Sequence, residues 1–143
     1  MRVIQLTHFF LDAGYLIRGG ISVGKVWHTN SNIVGPAYQE AYLLEAYGDE
    51  PMVVLSEAAK KVPRWGSRMC LETNGKVFVN GLHNFYIPGN TTHGAIEAAY
   101  SRYANLTNNV LNSEISEKVK KKWSWFKDYL DSESKEDMKW AEA

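Results

Sequence analysis

The spacing of apolar residues predicts a helix followed by a strand at the start of the chain. From Arg2 to Ala13 apolar residues recur every three or four positions, and Gly14 suits the left-handed position that ends a helix. Residues 15–27 then alternate with the period of two of a β-strand, and this stretch includes Gly19, Gly20 and Gly24. Because glycine weakens a strand, the three glycines predict that something, not specified by the sequence, approaches this backbone closely.

The middle of the chain predicts a second helix, a short strand and a hairpin. Pro36 suits the first position of a helix that reaches Tyr47. Residues 52–55 form a short apolar run of the buried-strand type, and Ser56 can cap a brief helix through Lys61. Asn74-Gly75 lies between two strand-like runs, residues 69–72 and 76–79, which is the strongest short-range signal for a β-hairpin.

The last third of the chain predicts helices. One spans residues 93–111, and Ser113 is expected to cap a second helix. That second helix repeats apolar residues at helical spacing: Ile115, Val119, Trp123, Phe126 and Leu130. We therefore expect an α+β domain over residues 1–90, a helical extension over 91–131 and a frayed, mixed-charge tail over 132–143. The expected sheet is mixed and is backed by helices 2–13 and 36–47.

Composition and charge exclude several classes of protein. Of 143 residues, 45% are hydrophobic and 22% are charged, the balance of a globular domain. The 16 basic and 16 acidic residues cancel, which disfavours nucleic acid or a membrane surface as a partner. No apolar run reaches the roughly 18 residues of a membrane span. The single cysteine, Cys70, cannot form an internal disulfide, so we expect a cytoplasmic protein.

Motif spacing by itself predicts no active site. Residues 19–25 fit the G-x-x-x-x-G-K start of a phosphate-binding loop, but Val26 stands where that loop needs Ser or Thr to hold magnesium. The favoured interpretation is a strand of small residues. The four histidines show no metal-ligand spacing, so we expect no metal site within the chain.

Two neighbouring segments resemble the class III adenylate and guanylate cyclases. Residues 16–26, LIRGGISVGKV, match the R-x-G-I-x-x-G strand of that family, and residues 32–45, NIVGPAYQEAYLLE, match its glycine-opened helix. The similarity is greatest to bacterial cyclase-like proteins of the anti-phage pyrimidine cyclase type. Weaker similarity continues at residues 74–80 and 122–130, so the resemblance covers most of the chain.

The resemblance implies a fold, a reaction and a partner. Family members have a ferredoxin-like α+β domain that pairs head-to-tail, and active sites form between the two subunits. Two aspartates on early strands hold two Mg²⁺ or Mn²⁺ ions, and the ribose 3′-hydroxyl of a nucleoside triphosphate displaces pyrophosphate. Those strands would precede the first helix here. The resemblance therefore implies an incomplete ferredoxin-like cyclase domain, inactive alone, that forms a homodimer or takes up a missing N-terminal half.

The resemblance also assigns expected roles to individual residues. Asn32 corresponds to the base-contacting position, Gln39 to the ribose-positioning asparagine, and Arg18 to the family's strand arginine. Arg18 could stabilise the transferring phosphate or form a structural ion pair. Gly20 and Gly24 would lie at the nucleotide. Leu43 stands where the family has its phosphate-stabilising arginine, and none of the five aspartates stands in the context of a metal ligand.

Three functional hypotheses remain open from the sequence. The chain is a shortened cyclase relative that binds a partner or a nucleotide without catalysis, the downstream part of an active cyclase, or an unrelated α+β interaction module. Under the first two, the stripe of helix 2–13 and the small-residue face of strand 15–27 should be partly bare. We therefore expect self-association with Phe10, Gly20 and Gly24 at or near the contact, and a second candidate surface around Trp123 and Phe126.

Overall fold

The computed structural model describes residues 2–46, 48–62, 68–84, 87 and 93–141. Their contacts divide the chain into two compact units, residues 17–80 and residues 1–16 with 81–143. Tyr47, the predicted end of the second helix, lies outside the described residues. The predicted mixed α/β content is confirmed.

The unit formed by residues 17–80 contains a four-stranded sheet, a two-stranded hairpin and two helices. Its elements are β1 (Gly19–Ile21), β2 (Trp27–His28), β3 (Ile33–Val34), α2 (Pro36–Ala46), β4 (Val53–Leu55), α3 (Glu57–Lys60), β5 (Cys70–Thr73) and β6 (Lys76–Val79). The sheet order is β1-β4-β6-β5, with β1 parallel to β4 and the other neighbours antiparallel. This confirms the prediction that the sheet contains both parallel and antiparallel strands.

Two local predictions in this unit are confirmed by their backbone chemistry. Asn74 and Gly75 have φ angles of 50° and 73°, the left-handed pair that a tight hairpin turn between β5 and β6 requires. Ser56 caps α3, because its hydroxyl oxygen accepts a hydrogen bond from the Ala59 amide at 3.1 Å.

The strand predicted over residues 15–27 is wrong in its length. Only Gly19–Ile21 joins the sheet. The last hydrogen bond at this point is donated by the Ser56 amide to the Ile21 carbonyl at 2.8 Å, and the residues after Ile21 are not part of the sheet. Trp27–His28 instead pairs with Ile33–Val34 as a separate antiparallel hairpin. A period of two indicates extended backbone but does not say which strand supplies the partner, so two short strands were merged into one.

The other unit is helical and contains α1 (Arg2–Asp12), α4 (His93–Leu111) and α5 (Glu117–Ala141). Gly14 has a φ of 83°, as expected for the residue that ends α1. The sequence analysis expected α1 to back the sheet, but its contacts place it in this unit. The reason is its buried face, where Leu11 joins the core and His8 bonds to Tyr103 of α4.

The core of the helical unit accounts for the aromatic repeat of α5. Trp123 and Phe126 are 6% and 3% exposed and pack edge-to-face, with their ring centroids 5.8 Å apart. Tyr129 anchors the same helix, because its hydroxyl accepts a hydrogen bond from the Leu82 amide at 3.1 Å. Trp123 and Phe126 are therefore core residues, and the prediction that they form a second exposed surface is wrong.

Both predicted boundaries of the last helix need correction. The helix begins at Glu117, where the Ser116 hydroxyl accepts a hydrogen bond from the Val119 amide at 3.4 Å, whereas Ser113 donates to the Val110 carbonyl at the end of α4. At the other end α5 continues to Ala141 instead of fraying after Asp131. The added turns carry a buried Glu133 and an Asp137 that accepts hydrogen bonds from the Tyr100 hydroxyl and the Asn84 amide, at 2.5 and 3.2 Å. Because these stabilising residues are polar, the spacing of apolar residues did not predict that the helix extends this far.

Within the described part of the chain, no helix has both the length and the apolar character needed to cross a membrane.

Candidate functional site

The glycine-rich strand lies against helix α2. A side chain at Gly20 would place its Cβ 2.3 Å from the Ala41 carbonyl oxygen and 2.8 Å from the Leu44 Cβ. At Gly24 a Cβ would lie 3.2 Å from the Ala37 Cβ. Ala37, Ala41 and Leu44 share one face of α2 because they are four and three residues apart. The close approach predicted from the glycines is thus made by α2.

This packing corrects the expectation that the small-residue face of the strand is bare. The space in front of Gly20, and part of that in front of Gly24, is filled by α2 of the same chain. These two glycines therefore do not offer that face to a second subunit. Phe10, the third residue expected near a contact, remains 37% exposed on α1.

Arg18 is held in a structural ion pair. Its Nε donates a hydrogen bond to Glu45 Oε1 at 2.8 Å, its Nη2 bonds to the same oxygen, and its Nη1 donates to the Gly48 carbonyl at 2.7 Å. Glu45 lies in the last turn of α2 and Gly48 follows two residues after its end, a region where the backbone carbonyls of a helix favour a cation. Of the two roles the sequence left open for Arg18, these contacts favour the ion pair.

Asn32 and Gln39 lie on other parts of the unit. Asn32 closes the turn between β2 and β3. Its backbone amide donates a hydrogen bond to Thr29 Oγ1 at 3.0 Å, and its backbone carbonyl accepts one from the Thr29 backbone amide at 2.8 Å. Gln39 is exposed on α2, about 200° around the helix from Ala37 at 3.6 residues per turn, so it faces away from β1. The expected nucleotide-site residues are therefore spread over the inner and outer faces of α2 and the hairpin turn.

The five aspartates do not include the pair on neighbouring strands that holds the metal ions in the cyclase family. Asp12 ends α1 and pairs with Arg102 at 3.3 Å, Asp49 follows α2, and the other three aspartates, 128, 131 and 137, lie on α5. Among the residues that the structure describes, no group of three or more His, Cys, Asp or Glu side chains is placed to hold a metal ion.

The hairpin of β2 and β3 is a feature that sequence reasoning missed. Trp27 pairs with Val34 and His28 with Ile33, so the ribbon carries apolar side chains on both of its faces. Trp27, Val34 and Ile33 are 72%, 56% and 46% exposed. A signal was present, since the polar turn of residues 28–32 separates two short apolar runs. We call the exposed apolar side chains of Val26, Trp27, Ile33 and Val34 the hairpin surface.

The helical unit contains one buried histidine with an unusual environment. His8 is 2% exposed, its Nδ1 lies 2.9 Å from the Tyr103 hydroxyl, and its Nε2 makes no hydrogen bond of ordinary geometry to any residue in the described part of the chain. Burial lowers the pKa of His8, while a weaker backbone interaction with His83 and the charge of Asp12 oppose that change. Burial therefore favours the neutral form of the ring over the protonated form in the folded protein.

No protein-family model, curated protein or solved structure matches this chain. The cyclase resemblance thus remains a prediction based on the segments of residues 16–26 and 32–45.

Proposed function

We propose that this chain is a class III nucleotide cyclase-like domain that associates with a second copy and makes no cyclic nucleotide by itself. The observation that carries the proposal is the hairpin surface, an apolar ribbon exposed on both faces. The hairpin joins the two segments that resemble the family, because β2 directly follows residues 16–26 and β3 lies within residues 32–45. In that family, subunits pair and build their sites between them.

Physical chemistry supports association through the hairpin. A free two-stranded ribbon is marginally stable in water, and its side chains gain about 25 cal/mol for each Å² of apolar surface that is buried. Trp27 and Val34, exposed by 72% and 56%, form the cross-strand pair with the most surface to bury. Clustered apolar exposure of this kind usually marks an interaction site.

The side chains available for catalysis support the second half of the proposal. Two-metal phosphoryl transfer uses carboxylates that hold two cations against the reacting phosphate. Here the five aspartates lie at helix ends, in a loop or on α5. Leu43, at the family's arginine position, is 47% exposed on α2 and cannot neutralise charge, and Arg18 is engaged by Glu45. The aspartates, Leu43 and Arg18 therefore do not provide the stabilisation of phosphate charge on which the reaction mainly depends.

An activity assay tests the absence of catalysis. The purified chain is incubated with ATP, GTP, CTP or UTP and Mn²⁺, the ion expected to serve a complete family member, and products are separated by chromatography. We predict no cyclic product above the level of buffer. A metal-dependent cyclic product that disappears in Arg18→Ala would contradict the proposal.

A further inference from the structure

A groove of about 370 Å³ lies beside α2 in the unit formed by residues 17–80, and its surface is almost wholly apolar. Met52 and Val54, which are 4% and 7% exposed, form its floor. Leu43 and Leu44 line it from α2, and Leu43 is 47% exposed, so the apolar surface reaches the outside of the helix. A cavity of about 150 Å³ is enough for benzene, so this groove has room for a larger aromatic ring system such as an indole.

The sheet register explains why the groove lies on this side of α2. Gly20 packs against α2, and its partner in β4 is Val54, which lies opposite Phe78 of β6. Lys76, two residues before Phe78, shares its face of the sheet. The close approach at Gly20 seats α2 over β1 and β4, so the groove opens between the helix and the β6 side of the sheet.

The charged side chains around the groove are engaged with partners of their own. Lys76 Nζ lies 3.0 Å from Glu50 Oε2, and the Glu40 carboxylate accepts a hydrogen bond from the Ser22 hydroxyl. An ion placed on the apolar floor would lose its water without gaining a partner there. The groove therefore favours an apolar occupant without formal charge.

The hairpin surface, on the same unit, has the properties that such an occupant needs. Residues 26–34 contain no Asp, Glu, Lys or Arg, and Trp27 is 72% exposed. Tryptophan is among the residues most enriched at the centres of protein interfaces, where it fills desolvated pockets. The hairpin precedes the first turn of α2, whereas Leu44 lies about 12 Å along the helix axis from Pro36. The hairpin of one copy therefore does not fill the groove of that same copy.

We propose that Trp27 of one copy occupies the groove of a second copy, which returns the same contact. This inference rests on the proposed association of two copies and specifies where they touch. A two-fold axis that sets the two α2 helices antiparallel brings the N-terminal end of each opposite the C-terminal part of the other. Because the hairpin lies at the first end and the groove beside the second, both contacts form together.

Charged variants mixed in pairs test the reciprocal contact. Trp27→Lys places a charge on the hairpin and Leu43→Glu places one on the groove, so each variant alone should dimerise at least tenfold more weakly than the unchanged chain. An equimolar mixture should form a heterodimer. In it, the unchanged hairpin of one variant meets the unchanged groove of the other, and the second contact sets the introduced ammonium opposite the introduced carboxylate. Sedimentation analysis at low micromolar concentration measures the dissociation constants.

The controls separate this contact from association in general. Val119→Glu, a charge at an exposed apolar position on α5, should dimerise as the unchanged chain does, and thermal melts establish that each variant is folded. If Leu43→Glu dimerises as tightly as the unchanged chain while Trp27→Lys does not, the groove contact is wrong and association through the hairpin stands. If both variants dissociate but their mixture forms no heterodimer, the reciprocal contact is refuted. A monomeric unchanged chain would refute the proposed association and this contact with it.

Discussion

At the scale of single residues, Gly20 has the clearest structural reason for its identity. The backbone carbonyl of Ala41 occupies the position where a side chain would begin, only 2.3 Å from an ideal Cβ. The sequence predicted a close approach at the glycines because strands rarely tolerate three of them. It could not say that the approaching element was α2, since that depends on how the intervening hairpin turns.

We predict that Gly20→Ala destabilises the protein by about 1–3 kcal/mol, the usual cost of overpacking. The new Cβ would displace α2 because it meets backbone atoms rather than a flexible side chain. Gly19→Ala is the matched control, because its Cβ would meet only Val53 methyl groups at an ordinary 3.9 Å. Urea unfolding followed by circular dichroism measures both changes. Equal stabilities of the two variants would show that α2 does not restrict Gly20.

His8 should make stability depend on pH. Because burial lowers its pKa in the folded state, the unfolded chain binds a proton more readily, and stability is lost as pH falls below about 6.5. The loss can reach about 1.4 kcal/mol for each pH unit until the folded-state pKa is passed. His8→Phe should flatten this dependence between pH 7.5 and pH 5, measured from urea unfolding. His28, His83 and His93 are common to both proteins, so parallel pH profiles would contradict the assignment to His8.

At the scale of elements, the predicted cap of α3 and the predicted β5–β6 hairpin were confirmed, whereas the predicted length of the strand over residues 15–27 and the predicted ends of the last helix were wrong. Ser56 and Asn74-Gly75 determine their cap and turn within a few residues, so α3 and the β5–β6 hairpin could be predicted. The division of residues 15–27 between two sheets depends on partners more distant in the chain. The last turns of α5 likewise depend on Tyr100 and Asn84, which lie far from Asp137 in sequence.

We predict that Asp137→Ala destabilises the helical unit by about 1–3 kcal/mol, because it removes a partner from the buried Tyr100 hydroxyl. Hydrogen exchange should become faster in the last turns of α5. Asp131→Ala is the control, since Asp131 makes only an exposed pair with Lys127 at 2.9 Å, worth no more than about 0.5 kcal/mol. If both variants show the same exchange and the same stability, Asp137 does not anchor the helix.

At the scale of the whole molecule, the sequence predicted the class of fold but not its division or its site. The structure separates residues 17–80 from a helical unit that includes both ends of the chain, whereas the pattern suggested one domain over residues 1–90. The motif placed Arg18 on a strand, whereas β1 begins one residue later at Gly19, and the pairing of Arg18 with Glu45 depends on tertiary packing. Asn32 and Gln39 similarly follow the family motif in sequence while lying on different parts of the unit.

Light scattering coupled to size-exclusion chromatography tests association through the hairpin surface most directly. At low micromolar concentration we predict a mass of twice the 16.2 kDa of one chain. Trp27→Asp should give a monomer, and Phe10→Asp tests the expected contribution of α1. Val119→Asp, at an exposed apolar position on α5, should leave the dimer intact. A stable monomer for the unchanged chain, or a dimer that survives Trp27→Asp, would contradict the account.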